Sequence, residues 1–166
     1  MIYLGIGSNL PTSAYGAPAN NCRAAIEQLG RRGLDATICS PFYETAPVPA
    51  SDQPWYVNCV IGVAHATLSP REALAACLAV ETELGRVRTV RNAARVVDID
   101  LIDWHGQVID EPPDLIIPHP RMADRAFVLY PLADIAPDWR HPRLDRPIAD
   151  LIAQLPPGQT IKPLKA

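Results

Sequence analysis

RVRTVRNAARVVDIDLIDW, residues 86–104, decides how the chain is read. Its second half carries Val96, Val97, Ile99, Leu101 and Ile102, the β-branched and large apolar residues that favour a strand. Side chains alternate between faces along a strand, so Asp98 and Asp100 point the same way. At a rise of ~3.3 Å per residue their Cα atoms stand roughly 6–7 Å apart. Two carboxylates on an apolar strand repel if buried unpaired. A hard divalent cation removes that repulsion, and Mg²⁺ takes oxygen ligands of this kind. Arg86, Arg88, Arg91 and Arg95 precede the pair, and guanidinium groups suit the oxygens of a phosphate chain. One reading is Mg²⁺ plus polyphosphate. The other is a strand end with two solvated aspartates beside an arginine-rich loop, and spacing alone leaves both open.

The bulk numbers bound the setting. A chain of 166 residues suits one domain with a single core. Apolar residues at 48% and charged residues at 20% exclude a disordered chain. A formal net charge of −3 argues against a broad nucleic-acid surface, so the arginines form a local positive site on an acidic protein. No apolar run reaches the ~18 residues of a membrane span. The opening MIYLGIGSNL lacks a basic n-region and does not read as a signal peptide. Cys22, Cys39, Cys59 and Cys77 are widely spaced, and three lie in apolar periodic runs. Free thiols in a reducing cytoplasm account for them most simply.

Working outward, residues 2–6 read as a short strand and Gly7–Ser8–Asn9 as a turn, with the glycines allowing a sharp bend near a ligand. Leu10 stands where a dinucleotide fingerprint would need glycine. A helix is expected over 19–31, with Cys22, Ala25, Ile26 and Leu29 on its apolar face. Residues 35–44 read as a strand, 45–55 as a proline-rich loop able to wall a flat ligand, and 56–66 as a strong strand. Ser69-Pro70-Arg71-Glu72 is a capping box with proline at the first helical position. The helix it starts runs to about Leu84, with an apolar stripe of Leu74, Cys77, Leu78 and Leu84. Glu81 falls on that stripe, so it needs either water at the helix end or a partner.

After the DID strand, His105-Gly106 suits a tight hairpin turn into 107–109. Leu115–Ile117 reads as a short strand leading into Pro118-His119-Pro120-Arg121, where two prolines hold one histidine near arginines. Residues 124–135 look helical but interrupted at Pro131. Pro147 suits the start of a last helix with Ile148, Leu151, Ile152 and Leu155 inward, and the tail over 156–166 reads mostly as loop.

YLGIGSNL (3–10), SPFYETAPV (40–48), QPWYVN (53–58), ETELGRVR (81–88), RVVDIDLI (95–102), IIPHPRM (116–122) and RAFVLYPL (125–132) occur in this order. Together they resemble the 6-hydroxymethyl-7,8-dihydropterin pyrophosphokinases of folate biosynthesis. The resemblance implies an α+β fold: a ferredoxin-like βαββαβ core, an antiparallel-rich sheet with helices on both faces, in one pyrophosphokinase domain over 1–166. It implies a cytoplasmic, monomeric enzyme. Its substrates would be ATP and the pterin, with no nucleic acid or membrane partner. Asp98 and Asp100 match aspartates that hold two Mg²⁺ ions, and Arg86 and Arg95 match arginines that meet the transferring group. Glu81, Arg88, Leu101, His119 and Arg125 match ATP-side positions. Thr45, Ala46, Val48, Tyr56, Asn58 and Phe127 match the pterin pocket, where Tyr56 and Phe127 would stack a flat ring. Arg91-Asn92-Ala93-Ala94 departs from the family, lacking the Trp-Gly-Pro that many members carry. So do Ile116 and Pro120, where some members carry threonine and tyrosine. The rival readings are another Mg²⁺-dependent phosphotransferase or nucleotidyltransferase on a heterocycle, and a non-catalytic nucleotide- or pterin-binding module.

Overall fold

Strands that alternate apolar side chains on both faces need cover on both sides, and this chain supplies it. The structure, a computed structural model, describes residues 1–85 and 96–165. Its elements are β1 (Ile2–Ser8), α1 (Pro18–Gly30), β2 (Ile38–Cys39), β3 (Tyr43–Thr45), β4 (Tyr56–Val63), α2 (Pro70–Glu83), β5 (Asp98–Trp104), β6 (Ile109–Glu111) and β7 (Leu115–Ile117). They continue with α3 (Ala126–Ile135), β8 (Arg140–His141), β9 (Arg146–Pro147), α4 (Ile148–Ala153) and β10 (Ile161–Pro163). The main sheet has the order β10-β3-β4-β1-β5, with β2 also on β4, and every pairing is antiparallel. From β1 to β5 this is the expected ferredoxin-like βαββαβ arrangement.

The two faces bury different sets. Ile2, Leu4 and Ile6 of β1 and Val57, Cys59, Ile61 and Val63 of β4 pack in one core with Cys22, Ala25 and Leu29 of α1 and Cys77 and Val80 of α2. Val60 and Ile102 face the other way, against Val128, Leu129 and Leu132 of α3 and Ile148 and Leu151 of α4. The result is three layers, helices–sheet–helices. No helix among the described residues is long and apolar enough to cross a membrane.

The capping box forms as expected: Ser69 accepts from the Glu72 amide, and the Glu72 carboxylate accepts from the Ser69 amide at 2.8 Å. Other expectations are corrected. The strand over 35–44 is broken. Cys39 pairs with Ile61 and Tyr43 with Asn58, so four steps on one side face three on the other, which is a one-residue bulge. Pro41 lies inside the bulge and has no amide to donate, while the Ser40 hydroxyl accepts from the Val60 amide at 3.0 Å. Leu78 is 36% exposed rather than inward. The His105-Gly106 turn closes with positive φ at both residues, but the chain beyond it pairs with β7 and not back onto β5. Helix α3 runs through Pro131, which is buried; one lost hydrogen bond does not outweigh the apolar surface this helix covers. The tail, expected to be mostly loop, also contributes the three-residue strand β10.

Candidate active site

The floor of a cleft forms where β1 has no side chains. Gly5 lies opposite Asp100 and Gly7 opposite Asp98 on β5, while Gly7 also faces Asn58 on β4. Both glycines sit inside β1 and neither has positive φ, so they make room rather than a turn. A Cβ at Gly7 would meet Asn58 Oδ1 at 2.5 Å. The cleft above them encloses about 180 Å³.

All six residues expected in a pterin pocket line this cleft: Thr45, Ala46, Val48, Tyr56, Asn58 and Phe127. Asn58 is buried and its Nδ2 donates to Thr45 Oγ1 at 2.6 Å, which fixes the amide. Tyr56 donates to Gln53 Oε1 at 3.3 Å, and Asn9 Nδ2 reaches the same oxygen and the Pro54 carbonyl. These bonds tie the 46–55 loop to the end of β1.

Asp98 and Asp100 line the same cleft. Asp100 is flanked by His119 Nε2 at 3.8 Å and Arg125 Nη1 at 3.7 Å. The Arg125 guanidinium also lies over the Phe127 ring, 5.2 Å from its centre. The backbone amide of His119 donates to the Ile102 carbonyl, so β5 itself positions the histidine. Its Nδ1 accepts from the Arg121 amide at 3.2 Å, which leaves Nε2 to carry the proton toward Asp100. Burial pushes the imidazole below its ordinary range, and Asp100 opposes that.

Glu81 does not end in water. It is 1% exposed, and its Oε1 accepts from the Ile99 amide at 2.8 Å. Ile99 stands between the two aspartates on β5, which ends the sheet order among the described residues. Glu81 therefore holds the segment that carries the carboxylate pair.

Leu101 is not brought to the cleft. Its side chain is buried on the α1–α2 side of the sheet. Arg86, Arg88, Arg91 and Arg95 lie outside the described residues. Lining residues outside the expected site set include Gln53 and Arg121, with open space at Gly5 and Gly7. Arg121 carried a signal in its place beside His119, and the glycines in their reading as a bend near a ligand; the glycine–aspartate pairing itself depends on the long-range register of β1 against β5.

A cleft lined by carboxylates, arginines, rings and amides suits a small molecule that carries both a ring and charge. The sequence makes the assignment specific: residues 3–137 match the family 7,8-dihydro-6-hydroxymethylpterin-pyrophosphokinase (HPPK), and the chain belongs to that family. It is 41% identical over 138 residues to a 2-amino-4-hydroxy-6-hydroxymethyldihydropteridine pyrophosphokinase of Methylorubrum extorquens, covering 82% of each chain. Against the enzyme of that name from Pseudomonas aeruginosa it is 38% identical over 156 residues, covering 93% of this chain and 91% of the other. The fold also matches a solved HPPK-DHPS structure from Plasmodium falciparum, with a TM-score of 0.68 at 15% identity, over 92% of this chain and 44% of that one.

Proposed function

We infer that this chain transfers pyrophosphate from ATP to the hydroxymethyl group of 6-hydroxymethyl-7,8-dihydropterin, giving AMP and the pterin pyrophosphate in folate biosynthesis. The observation that carries the reading is the meeting, in one cleft, of the Asp98–Asp100 pair with the six-residue ring pocket. That supports an acceptor binding beside a phosphate-handling centre.

The donor set suits a hard divalent cation such as Mg²⁺. Both candidate ligands are carboxylates on one strand face. Among the described residues no group of three or more His, Cys, Asp or Glu is arranged to hold a metal. Such a site supplies part of a coordination shell and leaves the rest to water and phosphate oxygens, the usual mode for Mg²⁺. Two bound Mg²⁺ ions would neutralise charge on the transferring phosphates and on the attacking oxygen. Asp98 and Asp100 are the residues that would hold them, and Glu81 keeps their strand in place.

His119 and Arg125 offer donors beside Asp100 that suit nucleotide phosphates. Tyr56 and Phe127 present ring faces for the pterin, and Asn58 presents an amide whose orientation Thr45 sets. Family resemblance assigns Arg86 and Arg95 to the transferring group and Arg88 to the nucleotide, with Leu101 left to contribute backbone only. The free thiols accord with a cytoplasmic enzyme, and the family resemblance with a monomer.

Asp98→Asn and Asp100→Asn test the assignment. Each is expected to lose at least about a hundredfold in kcat, the scale on which removing one electrostatic stabiliser acts, with an unchanged melting temperature. Near-native kcat at saturating Mg²⁺ in either variant contradicts it.

A further inference from the structure

The C-terminal segment 159–164 lies beyond the family match, which ends at residue 137. Yet it touches both walls of the cleft. On one wall, Ile161 pairs with Thr45, the Ala46 amide donates to the Thr160 carbonyl at 3.1 Å, and Lys162 pairs with Glu44 at 3.0 Å. Lys162 Nζ also lies 5.0 Å from the centre of the Trp55 ring.

On the other wall a single side chain makes the contact. Gln159 Oε1 accepts from the Ala126 amide at 2.9 Å, and Gln159 Nε2 donates to the Asp124 carbonyl at 2.8 Å. Nε2 also reaches the Pro156 carbonyl at 3.4 Å. The first two groups are the peptide units on either side of Arg125. The primary amide thus holds residue 125 as a neighbouring strand would, through the carbonyl before it and the amide after it. Arg125 has extended backbone angles (φ −118°, ψ 110°), which suit this bracket. The same amide of Ala126 opens α3, and it would otherwise lack an acceptor at a helix start. Ala126 is 3% exposed, so water is a poor substitute.

We propose that Gln159 is a positioning residue for Arg125, and that the segment 159–164 sets the spacing between the Arg125–Phe127 wall and the Thr45–Ala46 wall. Loss of the bracket frees the backbone that aims the guanidinium past Asp100 and over Phe127. That loss costs some stability, because the buried Ala126 amide loses its acceptor, and it also acts through the aim of Arg125. This rests on the functional reading above, in which Arg125 faces the nucleotide.

The test is a double-mutant cycle on the full chain with Gln159→Met, a near-isosteric residue without hydrogen-bonding groups, and Arg125→Ala. Gln159→Met is expected to lower kcat/KM for ATP by about tenfold in the native background, the scale of one or two net hydrogen bonds. In the Arg125→Ala background the same change is expected to lower it less than about twofold. Gln159→Glu, which retains an acceptor for Ala126 and loses the donor to Asp124, is expected to fall between. Equal losses in both backgrounds, or no loss in the native one, overturn the proposal. If the native chain makes no AMP, the functional reading fails by itself. The four proteins are then compared for calorimetric affinity toward Mg·ATP. Non-additivity there still supports the bracket, and additivity overturns it.

Discussion

Replacing Gly7 by alanine adds one methyl group at the tightest point of the cleft floor. That methyl would lie 2.5 Å from Asn58 Oδ1, inside any real contact distance. Neither strand backbone can yield easily, because Gly7 is paired on both sides, to Asn58 and to Asp98. The Asn58 side chain must therefore rotate, and its 2.6 Å bond to Thr45 is lost. Breaking that buried bond costs about 1–2 kcal/mol, and overpacking of this kind costs about 1–3 kcal/mol. Since relieving the clash is what breaks the bond, the two overlap, and a total loss of about 1–3 kcal/mol is expected in urea unfolding. The displaced amide no longer presents its edge to the pterin. Calorimetry should then show pterin affinity weakened by about tenfold or more, with Mg·ATP affinity within about twofold of native. Gly5→Ala is the control. Its methyl would meet only the Ile102 Cδ1 end at 3.2 Å, which a small side-chain shift relieves. Native pterin affinity in Gly7→Ala, or equal damage from Gly5→Ala, would refute the reasoning.

Glu81→Ala leaves the Ile99 amide buried without its acceptor, and a stability loss of about 1–3 kcal/mol is expected in denaturant unfolding. Glu81→Gln keeps an acceptor oxygen and should recover most of it; equal losses would show that charge, not acceptance, matters. Among the cysteines, Cys39 is exposed while Cys22, Cys59 and Cys77 are buried. A hydrogen bond from Cys59, aided by nearby Arg23, brings the Cys39 thiol down to about 7, while burial holds Cys22 and Cys77 up at about 12. Because the thiolate is the reacting form, single-site alkylation by iodoacetamide should accelerate as pH rises through about 7 and vanish in Cys39→Ser. Equal labelling of all four native thiols would contradict this.

Features governed by short periods were legible in the sequence. Asp98 and Asp100 share a strand face because side chains alternate, and the Ser69–Glu72 box closes because both partners lie within one helical turn. Glu81 stood out as a carboxylate on an apolar stripe, and its partner proved to be a backbone amide on β5. Features fixed by long-range pairing were not legible. Gly5 and Gly7 looked like turn residues until their register against Asp100, Asp98 and Asn58 gave them a volume role. Gln159 lies in a polar, proline-rich segment where nothing local marks it, and only the fold brings its amide to the cleft wall. Pro131 misled for the opposite reason: a local rule predicted a break, and the tertiary burial of Val128, Leu129 and Leu132 overrode it.

The central claim is that the cleft transfers pyrophosphate and not a single phosphate. The most direct measurement is product identification after incubating the native chain with ATP, Mg²⁺ and 6-hydroxymethyl-7,8-dihydropterin. Pyrophosphate transfer yields AMP and pterin pyrophosphate in equal amounts, with no AMP when the pterin is omitted. ADP as the nucleotide product, or AMP formation that ignores the pterin, would contradict it.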